Sequence, residues 1–209
     1  MIKHALKLCL ITDAQHKPLT DYLAFIHHAV MGGVTMVQLR EKSLSAIKLR
    51  DMATQLKALL TPLHIPLIIN DHVELAEEIN ADGVHLGQTD SGVLEARQCL
   101  GPDKIIGLSI ESFAELEAAN RLSCIDYVAA SAVFPSASKQ NCKTIWGLDG
   151  LSKLVRLSNH LVVAIGGINQ HNITDVLLHG ACGVAVISAI HSQSDAKVAA
   201  LALSNPMEK

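Results

Sequence analysis

The chain has 209 residues, 49% of them apolar but only 3% aromatic, with 18% charged and a formal net charge of −3. That balance is too apolar for a disordered chain and too acidic to track nucleic acid by bulk electrostatics, and the length lets one core bury roughly 70% of the unfolded surface without disulfide or metal staples. Its five cysteines are odd in number and form no C-x-x-C pair, which argues against a secreted disulfide framework and fits free thiols in a reducing cytoplasm.

In chain order, the first strand-like run, at 6–12, contains only four consecutive apolar residues, Leu8 to Ile11, too few for the core of a signal peptide, and no stretch approaches the roughly 20 apolar residues of a membrane span. A cytoplasmic protein without membrane or nucleic-acid partners is expected. Tyr22, Phe25, Ile26, Ala29 and Val30 then recur at helical spacing, followed by a Val-rich run at 34–39. A second amphipathic stretch, Leu49 to Leu60, stops before Pro62 and gives way to the run at 65–70. Further runs follow at 83–87, 105–109, 126–133, 161–166 and 183–188, read as buried parallel strands. Helix signals separate them: Ser112 with Glu115 reads as a capping box and Gly180 as a C-terminal cap.

A Gly-Val pair recurs where a helix hands over to a strand, at Gly33, Gly83 and Gly183, separated by 50 and 100 residues. A strand-plus-helix unit of about 26 residues, repeated eight times, fills the chain and predicts one domain, 1–209, folded as an α/β protein, a (β/α)8 TIM barrel. A doubly wound open sheet is the alternative, but the glycine fingerprint of a dinucleotide turn is absent after the first strand. The external helices suit a monomer or a dimer alike.

A barrel builds its site from the C-terminal ends of its strands. There Gln38, Arg40 and Lys42 alternate around Glu41, an amide and two cations suited to a polyanion such as diphosphate. Asn70-Asp71 and Gln88-Thr89-Asp90 end adjacent strands, so Asp71 and Asp90 can converge on a hard cation such as Mg2+, although either could instead cap a helix. Ser109 ends the fifth strand. The longest non-periodic stretch, running from Ser136, Ser138 and Lys139 through Trp146, reads as a lid. Gly166-Gly167 and Ile187-Ser188 lie after strands 7 and 8, where barrels recurrently bind phosphate. His85 reads more readily as a hydrogen-bonded core histidine than as a site residue.

Taken in order, QLREK at 38–42, ND at 70–71, DGVHLGQTD at 82–90, GLS at 107–109, VFPSASK at 133–139, AIGGI at 164–168 and GVAVISAI at 183–190 make the chain resemble the thiamine phosphate synthase family along nearly its whole length. The resemblance implies a transferase that joins a hydroxymethylpyrimidine diphosphate to a hydroxyethylthiazole phosphate, both small-molecule substrates, with Mg2+ as cofactor. It assigns the pyrimidine and its diphosphate to Gln38, Arg40, Glu41, Lys42, Asn70, Ser109 and Lys139, with Ser109 and Lys139 in catalytic roles. It assigns the metal to Asp71 and Asp90, and the thiazole phosphate to Ser136, Ser138, Gly167, Ile187 and Ser188. The family commonly carries Thr-x-Thr where this chain has Ser136-Ala137-Ser138, which keeps the hydroxyls and loses two methyl contacts. A related thiazole tautomerase shares the thiazole end without needing the diphosphate and metal residues. A non-catalytic barrel that senses a phosphorylated metabolite is the third reading.

Overall fold

The computed structural model describes residues 2–15, 17–90, 92–136 and 142–207. Along them run α1 (Ile2–Ala5), β1 (Leu8–Ile11), α2 (Leu19–Met31), β2 (Met36–Leu39), α3 (Ala46–Leu60), β3 (Leu67–Asn70), α4 (Val73–Glu78), β4 (Gly83–Leu86), α5 (Val93–Leu100), β5 (Ile105–Ile110), α6 (Phe113–Ala119), β6 (Tyr127–Ser131), α7 (Gly147–Leu157), β7 (Leu161–Ile165), α8 (Ile173–Leu178), β8 (Gly183–Val186), α9 (Ser188–His191) and α10 (Ala196–Ser204). The strands pair in sequence order, all parallel, and β8 returns to β1, so the expected (β/α)8 barrel closes. The apolar runs overshoot the ladders by up to two residues because burial continues past them: Leu6 and Thr12, flanking β1, are both buried.

Alternation along each strand sorts the side chains into two layers. Leu8, Leu10, Val37, Leu39, Leu67 and Ile69 point outward and pack under the helices. Cys9, Ile11, Met36, Ile68, Tyr127, Val163 and Ala185 point inward and fill the barrel. Tyr127 occupies the middle of this interior because Gly107 leaves it room: a Cβ at 107 would lie 2.2 Å from the Tyr127 ring. The recurring glycine has a related cause. At Gly83 and Gly183 a Cβ would fall 2.0 and 1.8 Å from the carbonyl oxygens of Ile105 and Leu6 on the neighbouring chain segments, so the handover into β4 and β8 admits no side chain.

Two carboxylates stitch the opposite, N-terminal face. Asp82 Oδ2 accepts Leu67 N–H at 2.9 Å and Lys57 Nζ at 2.7 Å, and Asp126 Oδ2 accepts Ile106 N–H and Arg97 Nη2, both at 2.8 Å. Ser112 Oγ accepts Glu115 N–H at 3.2 Å as expected, but the Glu115 carboxylate reaches back to Glu111 N–H at 2.6 Å, so the capping box is only half formed. Gly180, at φ +94°, follows the end of α8 as expected of a C-terminal cap. Among the described residues no helix is long and apolar enough to cross a membrane.

Candidate active site

The inward alternation that fills the barrel also dictates what stands at its top: Gln38, Asn70, His85, Ser109 and Ser131 close five successive inward rows. They open into a cavity of about 290 Å3 that is also lined by Arg40, Lys42, Asp71, Asp90, Glu111 and Lys143. The expected cluster of Gln38, Arg40, Lys42, Asn70, Asp71, Asp90 and Ser109 is therefore brought together. Arg40 is set by the first strand, its backbone N–H donating to the buried Thr12 hydroxyl at 2.9 Å. Neither the Arg40 nor the Lys42 side chain is tied by a hydrogen bond or ion pair among the described residues, which leaves their donors open to an anion.

Glu41 behaves differently from its neighbours. Its carboxylate accepts the Ala14 N–H at 2.9 Å and does not line the cavity. Alternation explains this: Glu41 falls between Arg40 and Lys42 and turns to the opposite side, where it braces the loop after β1.

Asp71 and Asp90 meet at the rim. Asp71 does not cap α4, whose first turn is preceded by His72; it sits instead at φ +66°. Asp90 Oδ2 accepts Gly87 N–H at 2.6 Å. Burial, then a hydrogen bond and repulsion from Asp90, push the Asp71 carboxyl up to about 6, while Lys42 and His72 pull the other way. Two carboxylates forced together in this way call for a shared proton or a cation, and their hard oxygens suit Mg2+. Among the described residues no third His, Cys, Asp or Glu joins them, so water and substrate oxygens would complete the shell of such an ion.

The cavity floor is a connected polar layer. Gln38 and Tyr127 share the space beneath the cavity, Tyr127 Oη lies 2.9 Å from His85 Nδ1, and His85 Nε2 lies 2.9 Å from Ser109 Oγ. Gln88 Nε2 donates to the Ser109 carbonyl at 2.7 Å. His85 is both the hydrogen-bonded interior histidine anticipated from the sequence and part of the cavity wall, because the one ring spans the core and the site.

Glu111, Lys143 and Tyr127 were missed by the sequence reading. Glu111, two residues beyond Ser109 on the same strand face, was findable by alternation; Tyr127 was hidden in an apolar run and Lys143 in a stretch without period. Glu111 is buried and accepts Lys143 N–H at 3.2 Å, while Glu115 holds Lys143 Nζ at 2.9 Å. At the same end of the loop Trp146 is only 8% exposed, donates from Nε1 to the Ser131 carbonyl and packs edge-on against Phe113. The expected lid therefore does not include Trp146, which is part of the core. Ser138 and Lys139 lie outside the described residues.

A second, smaller lobe of about 40 Å3 adjoins the first and is lined by Ser136, Gly166, Gly167, Ile187 and Ser188. Gly167, at φ +64°, approaches so closely that a Cβ there would lie 2.6 Å from the Pro135 carbonyl. Ser131, Ile165 and Ile187 line both lobes. One end of the site is cationic with a carboxylate pair, the other is glycine-lined, and the wall between them is mostly apolar.

The model of the thiamine monophosphate synthase family matches residues 8–190. The chain belongs to this family. It is 47% identical over 197 residues to the thiamine-phosphate synthase of Chlamydia caviae, covering 94% of this chain and 92% of that protein. It is 43% identical over 196 residues to that of Vibrio campbellii, covering 94% and 95%. The solved thiamine phosphate pyrophosphorylase of Pyrococcus furiosus superposes with a TM-score of 0.89 at 34% identity, covering 100% of this chain and 98% of that one. The 3-hexulose-6-phosphate synthase of Salmonella typhimurium, at 20% identity and a TM-score of 0.75 over 97% and 99% of the two chains, shares the fold alone. As a thiamine monophosphate synthase family member the chain is a transferase of thiamine biosynthesis.

Proposed function

We propose that the two lobes hold the two substrates of one condensation. The cationic lobe takes 4-amino-2-methyl-5-(diphosphomethyl)pyrimidine. The glycine-lined lobe takes the phosphate of 4-methyl-5-(2-phosphoethyl)thiazole or its carboxylated form. The shared wall carries this reading: with Ser131, Ile165 and Ile187 common to both lobes, two phosphorylated molecules anchored at opposite ends would bring their uncharged ends together.

In the reaction, the bond between the pyrimidine methylene and the diphosphate oxygen breaks with its electron pair leaving on oxygen. The electron-rich pyrimidine stabilises the cation, and the lone pair of the thiazole nitrogen forms the new C–N bond; from the carboxylated thiazole, the carboxylate then leaves as CO2, its bonding pair stays on the ring carbon and that carbon takes a proton from water. No proton is abstracted, so no general base is required; the work is alignment and neutralisation of charge. Arg40, Lys42 and Lys139 neutralise the leaving diphosphate. Gln38, Asn70 and Ser109 hold the pyrimidine, with Ser109 oriented by His85. Ser136, Ser138, Gly167, Ile187 and Ser188 receive the thiazole phosphate. Asp71 and Asp90 would hold Mg2+, which when bound offsets the diphosphate charge.

The test is to incubate the protein with both substrates and Mg2+ and follow diphosphate and thiamine phosphate. Release of both products only when both substrates are present is expected. Isomerisation of the thiazole alone, or no product, would refute the proposal.

A further inference from the structure

Behind the glycine-lined lobe runs a polar chain that none of the roles above uses. His191 ends α9, and its Nδ1 lies 2.9 Å from the Ile187 carbonyl oxygen. A carbonyl only accepts, so Nδ1 carries the proton. Nε2, 2.8 Å from Tyr22 Oη, then accepts the phenol O–H, and Tyr22 Oη in turn accepts the Asp13 N–H at 2.9 Å. The imidazole packs against two aromatic rings that also stack on each other, with centroids 4.9 Å from Phe25 and 5.9 Å from Tyr22, and Tyr22 is fully buried. Burial lowers the His191 pKa, the Ile187 hydrogen bond and Asp13 raise it, and Lys17, which sits over the Phe25 ring, lowers it. The net direction is downward, which keeps the neutral ring that this run of hydrogen bonds requires.

The carbonyl at the end of the chain belongs to the same peptide group as the Ser188 N–H, and in a planar trans peptide the two point in opposite directions. The Ile187 carbonyl also accepts the backbone N–H groups of Ile190 at 3.2 Å and His191 at 3.1 Å. Three donors on one oxygen polarise the peptide and strengthen its N–H as a donor. We propose that His191, braced by Tyr22, is a positioning residue that aims the Ile187–Ser188 peptide N–H into the glycine-lined lobe and thereby sets affinity for the phosphate of the thiazole substrate, leaving the diphosphate end untouched. This rests on the two-ended site proposed above.

Steady-state kinetics of the full chain test it, comparing wild type with His191→Phe and His191→Asn. Phe keeps the aromatic packing and loses both nitrogens, while Asn keeps a donor at the Nδ1 position. Loss of one positioning hydrogen bond predicts that His191→Phe raises KM for the thiazole phosphate about fivefold, with kcat and KM for the pyrimidine diphosphate unchanged. His191→Asn should recover most of the loss. Should the Phe variant fail to fold, Tyr22→Phe, which removes a single oxygen, carries the same selective expectation. An unchanged thiazole KM, a parallel rise in both KM values, or an Asn variant no better than Phe would overturn the assignment. A wild-type protein that makes no thiamine phosphate would overturn the two-substrate reading and this inference together, whereas product formation with an unchanged KM overturns this inference alone.

Discussion

Replacing Asp71 by Asn should stabilise the metal-free protein while abolishing most of its activity. Asn accepts the positive φ of this position as readily as Asp, so the exchange removes charge without straining the backbone. In the unfolded chain the carboxyl titrates near its ordinary value of 3.8, and in the fold it is pushed up to about 6 by burial and by Asp90. The folded state thus holds the proton more tightly. The stability contributed by this group is fully present below about pH 3.8 and is lost as the pH rises through about 6. At about 1.4 kcal/mol per pH unit the loss is bounded at about 3 kcal/mol, and because Asp71 is only half-buried, solvent screening reduces it to roughly 1–2 kcal/mol. Thermal unfolding in a chelator at pH 7.5 should show Asp71→Asn melting roughly 2–8 °C above wild type, for a chain of this size. At pH 4.5 the gap should shrink to less than half. Added Mg2+ should raise the wild-type midpoint and leave the variant where it is. A variant no more stable than wild type at pH 7.5, or a gap independent of pH, would refute the reasoning.

Three further outcomes are expected. Arg97→Met removes a guanidinium that donates to the carbonyls of Gly101, Pro102, Lys104 and Cys124 as well as to Asp126; denaturant unfolding should show a loss of about 3 kcal/mol with unchanged kcat per folded molecule, because this face is remote from the site. Arg40→Ala should cut kcat/KM for the pyrimidine diphosphate by about 100-fold, measured by initial rates, while the melting midpoint hardly moves, since no bond among the described residues is lost with the side chain. Cys9, 1% exposed and with its thiol pushed up to about 12 by burial, should resist a thiol reagent at pH 8 in the native protein and react only after unfolding, which mass spectrometry of the labelled peptides would follow.

How much was legible from the sequence follows from which physical rule governs each residue. The strand count came from Gly33, Gly83 and Gly183, two of which mark places where a neighbouring backbone occupies the space of a Cβ. Alternation brought Gln38, Arg40 and Lys42 to one side, and the same rule, applied strictly, turns Glu41 away onto Ala14. The neighbouring ends of β3 and β4 predicted the meeting of Asp71 and Asp90. What alternation alone could not supply were contacts between distant segments. The bonds from Tyr127 to His85, from Lys143 to Glu111 and from Tyr22 to His191 join residues 42, 32 and 169 positions apart and depend on barrel closure. Trp146 misled for a similar reason. A lone aromatic in a long irregular stretch suggested a moving loop, but its indole N–H reaches the Ser131 carbonyl and holds that end to the barrel.

The central claim is that one rim gathers cations and a carboxylate pair to hold diphosphate together with its metal. Calorimetric titration of inorganic diphosphate into the protein, with and without Mg2+, tests it most directly. Tight binding that requires Mg2+ and is lost in both Asp71→Asn and Arg40→Ala is the predicted result. Diphosphate binding of equal strength without Mg2+, or undiminished in either variant, would contradict the account.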